Sequence, residues 1–289
     1  MHALIDGDWI LYAAGHAGQK SEIVCPSRFG AQVFRNITEL RAACAEDGEE
    51  HDPVDDPVYK RDILDPEQFF YHSAKNMIET QLQKIGERFK TDTVTYDVMM
   101  DGDGNFRSRI ATIRPYKGTR HVHSKPLMFN NIRQYLLDVW RADVIFDQET
   151  DDEMAIRQTQ ADYDTIIVAV DKDMLQVPGY HLNPNKGFKK VSKEGGDLFL
   201  YRQCLTGDSV DNIMGAHKVG PKAAENILPK YEDPAIMWEK VVAGYAESLD
   251  KYPDAYPDGM TPVEAATENM RLVYLRRQEG EIWSPPKAS

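Results

Sequence analysis

The sequence has few cysteines, no long apolar run and no excess of basic charge, and each shortage argues against a class of protein. Its 289 residues include three cysteines, Cys25, Cys44 and Cys204, whose scatter and odd number are typical of reduced thiols in a cytoplasm. No apolar run approaches the ~20 residues that cross a bilayer, and no signal-peptide pattern opens the chain. We therefore expect a cytoplasmic protein that does not enter a membrane.

The net charge of −13 argues at first sight against nucleic acid as a partner. Much of the acidic excess, however, lies in residues 45–56, AEDGEEHDPVDD, which we interpret as a solvated loop in preference to a partner-binding tail. Between Asn105 and Lys125 the chain carries several basic residues and no acidic one. Local patches of charge, and not the net charge of the whole chain, must therefore identify the partner.

Three predicted strands end in aspartate: Leu4–Asp6, Val94–Asp101 and Ile166–Asp171. The last, TIIVAVDKD, continues to Asp173. Such runs are typical of strands in a parallel sheet covered by helices, where ligands lie beyond the carboxyl ends of the strands. Taken alone, Asp-Lys-Asp is more often a solvated turn.

Further acids surround the start of a helix predicted over Met154–Gln160, after a short strand at Val144–Phe146. Each alone is weak evidence, because a helix dipole favours acids at its N-terminus. Together with the strand-end aspartates they place six or more carboxylates at one edge, where they would repel unless cations neutralise them. Oxygen ligands without Cys or His select Mg²⁺ or Mn²⁺, and two such ions ~3.5–4 Å apart commonly hydrolyse phosphodiesters.

A separate signal lies in Leu205–Leu228, where GDSVDN is followed by VGPKAA. Glycine lets the backbone approach a phosphate, and the N–H groups of a following helix bind it, so Gly220 and Lys222 are candidate DNA contacts. VGPKAA alone is as often an ordinary helix start. The basic loop that includes Lys189 and Lys190 is a further candidate for the duplex backbone.

The remaining patterns predict the organisation of the chain. Residues 15–66 are interpreted as an irregular acidic insertion with a short helix near Asn36–Ala45. Apolar periodicity predicts helices over Glu67–Lys90 and Leu127–Arg141, and over two segments near the C-terminus, Pro234–Leu249 and Thr261–Arg277. We expect a catalytic domain over residues 1–195 and a DNA-binding subdomain with C-terminal helices over 196–289.

In this order the acidic motifs and GDSVDN…KVGPKAAENI resemble the flap endonuclease/5′→3′ exonuclease superfamily. The opening IDGDW and the closing RLVYLRRQEGEIW are especially similar to phage enzymes of the short-tailed coliphage type. The resemblance implies a mixed α/β fold with a mostly parallel sheet flanked by helices, a PIN-like nuclease core, and a helix–hairpin–helix-type DNA-binding subdomain. It also implies two Mg²⁺ or Mn²⁺ ions, and K⁺ at the hairpin in many members.

The resemblance assigns roles to particular residues. For the first metal it implies Asp6, Asp101, Glu149 and Asp151, with Asp152 as a further or outer ligand. For the second it implies Asp171, Asp173 and Asp208, with Asp211 nearby. Lys117 in PYKGTR matches the family lysine that contacts the scissile phosphate, with Arg120 beside it, and Arg107 and Arg114 are candidate backbone contacts that are as often solvated surface residues.

We therefore predict a monomeric, Mg²⁺-dependent 5′→3′ exonuclease with flap endonuclease and RNase H-like character. Its substrates would be 5′ ends or flaps of duplex DNA, or RNA–DNA hybrids, in phage replication, recombination or host DNA degradation. The segment from Lys117 to Glu149 is short compared with superfamily members that build a closed helical arch. An open groove is therefore equally compatible with the sequence. The alternatives are a non-catalytic helix–hairpin–helix DNA-binding module and a ribonuclease on a related acidic scaffold.

Overall fold

A computed structural model describes residues 1–46, 59–118 and 125–286. The chain divides into two compact units. The first comprises Met1–Trp9, Glu79–Ser124 and Leu136–Ser289, and the second comprises Ile10–Ile78 and Lys125–Tyr135. The acidic segment from residue 47 to 56, and Arg120, lie outside the described residues.

The first unit is built on a sheet that has six strands among the described residues, in the order β6-β5-β1-β7-β8-β9. The strands are β1 (His2–Asp6), β5 (Thr95–Asp101), β6 (Asp143–Ile145), β7 (Thr165–Val168), β8 (Gly179–Asn183) and β9 (Gly187–Val191). The first five in spatial order run parallel, and β9 pairs antiparallel with β8. The parallel ends therefore meet at one edge, and the mixed, mostly parallel α/β class is confirmed.

Helices cover both faces of this sheet within the first unit. Helix α7 (Thr150–Gln160) buries Met154 and Ala155 against the face that carries Leu4 and Ile167. On the opposite face, the C-terminal end of α4 (Glu67–Phe89) packs its Phe89 ring edge-on against Tyr180, with ring centroids 5.1 Å apart. A strand covered on both faces must be apolar throughout, which explains the unbroken runs in β1 and β7.

A second core in the same unit joins four helices after the sheet. These are α8 (Lys193–Thr206), α9 (Pro221–Ile227), α10 (Pro234–Lys251) and α11 (Pro262–Val273). Trp283 packs on Trp238 of this core at a centroid distance of 4.8 Å. The boundary predicted between residues 195 and 196 falls inside α8, and both of its sides belong to this unit.

The second unit corrects the prediction of an irregular insertion over residues 15–66. Its strands β2 (Gln19–Val24), β3 (Val33–Phe34) and β4 (Tyr59–Leu64) form an antiparallel sheet in the order β3-β2-β4. Between them lie α2 (Pro26–Phe29) and α3 (Ile37–Glu46), and α3 includes most of the helix expected near Asn36–Ala45. A small core of Cys25, Phe34, Leu40 and Cys44 holds the unit together.

The remaining helices are α1 (Gly7–Ala17), α5 (Arg107–Ile110) and α6 (Phe129–Trp140). The predicted long helix over Glu67–Lys90 is confirmed by α4, and that over Leu127–Arg141 by α6. Among the described residues, no helix combines the length and apolarity that a membrane span requires.

Candidate metal and nucleic-acid site

The end of β1 is tied to the start of α1 through Asp6. Its Oδ1 accepts hydrogen bonds from the backbone N–H groups of Asp8 at 2.9 Å and Trp9 at 3.2 Å. The glycine between the two acids is required by space, because a Cβ on Gly7 would lie 2.6 Å from Met100 Cγ and 2.7 Å from Met99 O. The IDGD sequence therefore brings the ends of β1 and β5 into close contact.

The N-terminus of α7 joins the same edge. The backbone N–H and hydroxyl of Thr150 lie 2.7 and 2.8 Å from Asp101 Oδ1, and Asp8 Oδ2 accepts a hydrogen bond from Asp101 N at 2.7 Å. Asp8 and Thr150 thus organise the ends of three elements, although the sequence motifs did not identify either as a site residue. The second aspartate of the IDGD sequence is the signal by which Asp8 could have been identified.

Electrostatic repulsion at this edge is strong. Burial, with the carboxylates of Asp8 and Asp101, raises the pKa of Asp6 from 3.8 to about 8. Burial also raises the pKa of Asp151 well above its usual value, and four neighbouring carboxylates raise it further. Those four are Asp6, Asp171, Glu149 and Asp101. The structure therefore brings together acids from four separate segments, as expected if cations are to neutralise them.

Asp171 and Asp173 lie beyond β7, which ends at Val168 and is shorter than the predicted strand. The Asp173 backbone N–H donates to Asp171 Oδ1 at 2.8 Å and opens the 3₁₀ turn Asp173–Gln176. Burial and the Asp171 charge raise the pKa of Asp173 from 3.8 to about 7. Asp173 Oδ1 is buried and has no hydrogen-bond partner among the described residues. The Lys172 ammonium lies 3.9 Å from it, beyond hydrogen-bond distance, so this oxygen is suited to bind a cation more closely.

The GDSVDN loop presents Asp208 to this group. Gly207 begins the loop at φ +67°, and a Cβ there would lie 2.3 Å from Ile213 O, so only glycine fits. Lys172 Nζ lies 2.9 Å from Asp208 Oδ2 and 3.9 Å from Asp173 Oδ1. Although burial acts in the opposite direction, the hydrogen bond from Lys172 lowers the pKa of Asp208. Sequence motifs missed Lys172, even though it stands between two acids.

A turn at residues 115–118 carries Lys117 onto the loop. The Lys117 N–H donates to Asp211 O at 2.8 Å, and the Asn212 amide donates to Pro115 O at 2.8 Å. These bonds hold Lys117 at φ +55°, a strained conformation for a residue with a side chain. The Lys117 ammonium forms an ion pair with Glu149, so the turn delivers a cation to the carboxylate cluster.

Tyr116 adds a second link from this turn. Its hydroxyl oxygen lies 3.0 Å from both Glu149 Oε2 and Asp211 Oδ2. Burial and the Glu149 charge raise the pKa of Tyr116, so the phenol stays protonated and has one proton to donate between two acids. Asp211 therefore lies next to the cluster through Tyr116, and the sequence motifs had not identified this tyrosine.

Arg107 and Asp152 require a correction. Arg107 is 1% exposed, and its guanidinium makes two parallel hydrogen bonds to Asp152, at 2.5 and 2.9 Å. It also donates to the carbonyl oxygens of Leu272 and Tyr274, while Asp152 is completely buried and also accepts from Arg276 N. With both groups enclosed, Arg107 is not available to a DNA backbone and Asp152 is not available as a direct metal ligand, while its role as an outer ligand stays a prediction.

The other predicted DNA contacts stay predictions, and the described ones are open to solvent. Arg114, Lys189, Lys190 and Lys222 are exposed, and the Lys190 ammonium lies over the Tyr180 ring at 4.8 Å. Gly220, also exposed, is the N-cap residue of α9.

The carboxylate cluster fits a divalent cation by its chemistry. Its donors are all oxygen, several of them have raised pKa values, and Asp173 Oδ1 is unsatisfied. Within the described ranges, no three acidic, histidine or cysteine side chains already converge into a complete ligand set. Lys117 and Lys172 instead pair with Glu149 and Asp208. Ions would bind after these two ammonium groups withdraw.

Comparison with solved structures identifies the fold. The chain is similar to the T5 D15 protein co-crystallised with metal ions, with a TM-score of 0.51 and 14% identity over 94% of this chain and 89% of the other. It is also similar to T5 5′-exonuclease with bound zinc, with a TM-score of 0.50 and 13% identity over the same shares.

Sequence comparison gives a partial match. DNA polymerase I of Rhizobium leguminosarum is 33% identical over 105 residues, which cover 32% of this chain and 10% of the polymerase. The chain thus spans about a tenth of the length of that curated relative. No family model matches the chain. The predicted superfamily resemblance is confirmed at the level of the fold: the chain has the α/β fold of bacteriophage T5 5′-exonuclease.

Proposed function

We propose that this protein is a divalent-metal-dependent 5′→3′ exonuclease with flap endonuclease activity, which hydrolyses phosphodiesters at 5′ ends of duplex DNA. One observation carries the proposal. Buried acids from β1, α7 and the segment after β7 raise one another's pKa values at a single edge of the sheet, next to Lys117. A group of carboxylates that destabilises itself in this way is suited to hold metal ions.

The roles follow from position. Asp6, Asp101, Glu149 and Asp151 would hold one ion, and Asp171, Asp173 and Asp208 would hold the other. Bound Mg²⁺ or Mn²⁺ would supply Lewis-acid stabilisation and the activation of water for in-line hydrolysis. Lys117, once released from Glu149, would donate to the scissile phosphate and offset its developing negative charge. Tyr116 and the docked turn would keep Lys117 in place, and Arg120 belongs to the proposal as a second catalytic cation.

The substrate would bind through its phosphates. Exposed Arg114, Lys189, Lys190 and Lys222 would contact the backbone, and Gly220 would allow its close approach at the start of α9. T5 5′-exonuclease is named for 5′ ends, which supports that polarity here. Mg²⁺ as the working ion, K⁺ at the hairpin, RNA–DNA hybrids as substrates, a monomeric state and a phage role belong to this proposal.

The test is cleavage of 5′-labelled duplex and 5′-flap DNA, each incubated with Mg²⁺ and with EDTA. We expect shortened products with Mg²⁺ alone. An Asp171→Ala variant should bind the same DNA with unchanged affinity but leave it intact, because it removes a ligand without removing a phosphate contact.

The alternatives give different results in this assay. Binding that persists in EDTA, with no cleavage under any metal, would identify a non-catalytic DNA-binding module and reject the nuclease. Cleavage of RNA with no cleavage of DNA would identify the ribonuclease. Full turnover by Asp171→Ala would show that the metal residues are misassigned.

A further inference from the structure

A cavity of about 260 Å³ lies beside Asp171 at the ends of β7 and β8, and most of its lining has no part in the proposed reaction. At about 30 Å³ per water it holds roughly nine waters, so it accommodates a small organic ligand. Its apolar wall is formed by Ile167, Ala169, Met174 and Leu175.

Strand register explains why polar groups face the same space. Ile167 pairs directly with His181 across β7 and β8, and His181 pairs with Lys189 across β8 and β9. Side chains directly opposite in neighbouring strands share a face, so these three project together. Lys190, the next residue, projects from the opposite face, where it covers Tyr180.

His181 offers the cavity a hydrogen-bond acceptor. Its ring is 5% exposed, and its Nε2 lies 2.8 Å from Val177 O, which it must serve as a donor. Burial lowers the pKa of His181 from 6.5 to about 4, so the ring is neutral near pH 7. Nδ1 is therefore an acceptor, and it has no partner within the described residues.

Cations line the same cavity. Lys186 and Lys189 are exposed and form no ion pair with any described carboxylate, while Lys172 is held by Asp208. The cavity thus combines an apolar wall, a neutral acceptor and free ammonium groups. A ligand that matches all three has a flat, weakly polar part with N–H donors and an anionic part.

We propose that this cavity binds a deoxynucleoside 5′-monophosphate unit, with the base against the apolar wall and His181, and the phosphate on Lys186 and Lys189. This inference rests on the proposed function, because cleavage that leaves a 5′-phosphate beside Asp171 would supply the ligand. The unit is either the free mononucleotide product or the 5′-terminal nucleotide of a strand.

The test is calorimetric titration of the full chain with each of the four deoxynucleoside 5′-monophosphates in EDTA, so that no metal and no turnover are involved. We expect saturable binding, weakened about tenfold by Lys189→Met, which removes a charge-assisted contact. Lys230→Met, which removes an exposed lysine that neither lines the cavity nor belongs to the proposed DNA contacts, is the control and should bind the nucleotides with unchanged affinity. Inorganic phosphate and the unphosphorylated nucleosides should each bind more weakly than the nucleotide.

Absence of saturable binding at millimolar nucleotide, equal losses in Lys189→Met and Lys230→Met, or inorganic phosphate that binds as well as the nucleotide would each overturn the inference. His181→Phe tests the acceptor: folded protein with unchanged nucleotide affinity would remove His181 from the site. If His181→Phe does not fold, the comparison of Lys189→Met with its control variant still tests the inference.

Competition with oligonucleotides distinguishes the two sources. If a single strand with a 5′-phosphate displaces the nucleotide and the same strand with a 5′-hydroxyl does not, the cavity takes the terminal nucleotide. If neither displaces it, the cavity takes the free product. Because these measurements need no cleavage, their failure leaves the nuclease assay unaffected, and failure of that assay leaves these measurements interpretable.

Discussion

At the scale of single residues, Lys172 lies where the second metal ion is proposed to bind, and we expect it to compete with that ion. Its ammonium lies 2.9 Å from Asp208 Oδ2 and 3.9 Å from Asp173 Oδ1, between the acids proposed for the second ion. In the metal-free protein this lysine offsets part of their repulsion. Any divalent ion that binds there must displace it, so the lysine acts on stability and on metal affinity in opposite directions.

Lys172→Met should therefore destabilise the metal-free protein and tighten Mg²⁺ binding. The side chain is 59% exposed, so the free energy of unfolding should fall by about 1 kcal/mol or less. The Mg²⁺ dissociation constant should decrease by up to about fivefold. Thermal unfolding in EDTA and during a Mg²⁺ titration measures both. Lys193→Met, which removes an exposed pair with Asp197, is the control. Unchanged Mg²⁺ affinity in Lys172→Met would contradict the competition.

Lys117 should affect the rate of cleavage and not the affinity for DNA. Lys117→Met removes the charge that would stabilise the scissile phosphate, and we expect kcat to fall about 10²-fold, as when one donor to a developing charge is lost. Affinity for uncut DNA in Ca²⁺ should change by less than about twofold, since the exposed basic residues carry phosphate binding. Single-turnover cleavage and fluorescence anisotropy separate the two quantities. Lost affinity with an unchanged cleavage rate would refute this role.

At the scale of elements, Arg107 joins α5 and α7 to the C-terminal end of α11 and the residue that follows it. Its guanidinium binds Asp152 at the start of α7 and the carbonyls of Leu272 and Tyr274. Asp152 also receives the N–H of Arg276. This buried pair thereby fixes the helix whose N-terminus carries Glu149 and Asp151.

Arg107→Met should destabilise the protein by about 3–5 kcal/mol, because Asp152 would stay buried without its partner. Chemical denaturation measures this loss. Arg109→Met is the matched control two residues along: its pair with Asp147 is exposed on both sides and should contribute about 1 kcal/mol or less. Near-native stability of Arg107→Met, with lost DNA affinity, would restore the surface-contact interpretation that the structure contradicts.

Elements with a strong local pattern were predictable from sequence. Helix α4 keeps its apolar period from Glu67 to Phe89, and β1 is a short apolar run, so both appear near their predicted bounds, whereas β7 ends at Val168, before the predicted Asp171. Strands β2 and β4 were missed because Gln19 pairs with Leu64, far along the chain. No local pattern marks such a pairing, since each strand acquires its partner only on folding.

The candidate site also contains residues that could be predicted from sequence and residues that could not. Its acids could be predicted because several stand at strand ends, a position that the sequence shows. Its cations could not: Arg107 is buried by carbonyls 165 and 167 residues away, and Lys172 faces Asp208 across a loop. A basic residue in sequence has the same appearance whether it meets solvent, a phosphate or a buried acid.

At the scale of the whole molecule, clustered acids should give stability an unusual pH dependence. Folding raises the pKa of Asp6 from 3.8 to about 8 and that of Asp173 from 3.8 to about 7, so the folded chain holds protons that the unfolded chain releases. Stability from these groups is present in full below 3.8 and is lost as pH rises through 7 and 8. His181, with its pKa lowered from 6.5 to about 4, acts oppositely, but only below about 6.5.

Between pH 6.5 and 8 the carboxyls therefore act without opposition from His181, and in EDTA the melting temperature should fall as pH rises. Each proton held contributes at most about 1.4 kcal/mol per pH unit. Saturating Mg²⁺ should remove or reverse this slope, because the ions replace the protons on the same acids.

Asp6→Asn isolates the cause. The amide is close in size to the acid but does not ionise, so this variant should show a shallower slope in EDTA and a smaller Mg²⁺ response, as scanning calorimetry at several pH values would reveal. A global effect of the net charge of −13 would instead leave the slope of Asp6→Asn near that of the wild type. Because removing one charge of thirteen barely alters that total, a large change of slope can come only from the local cluster.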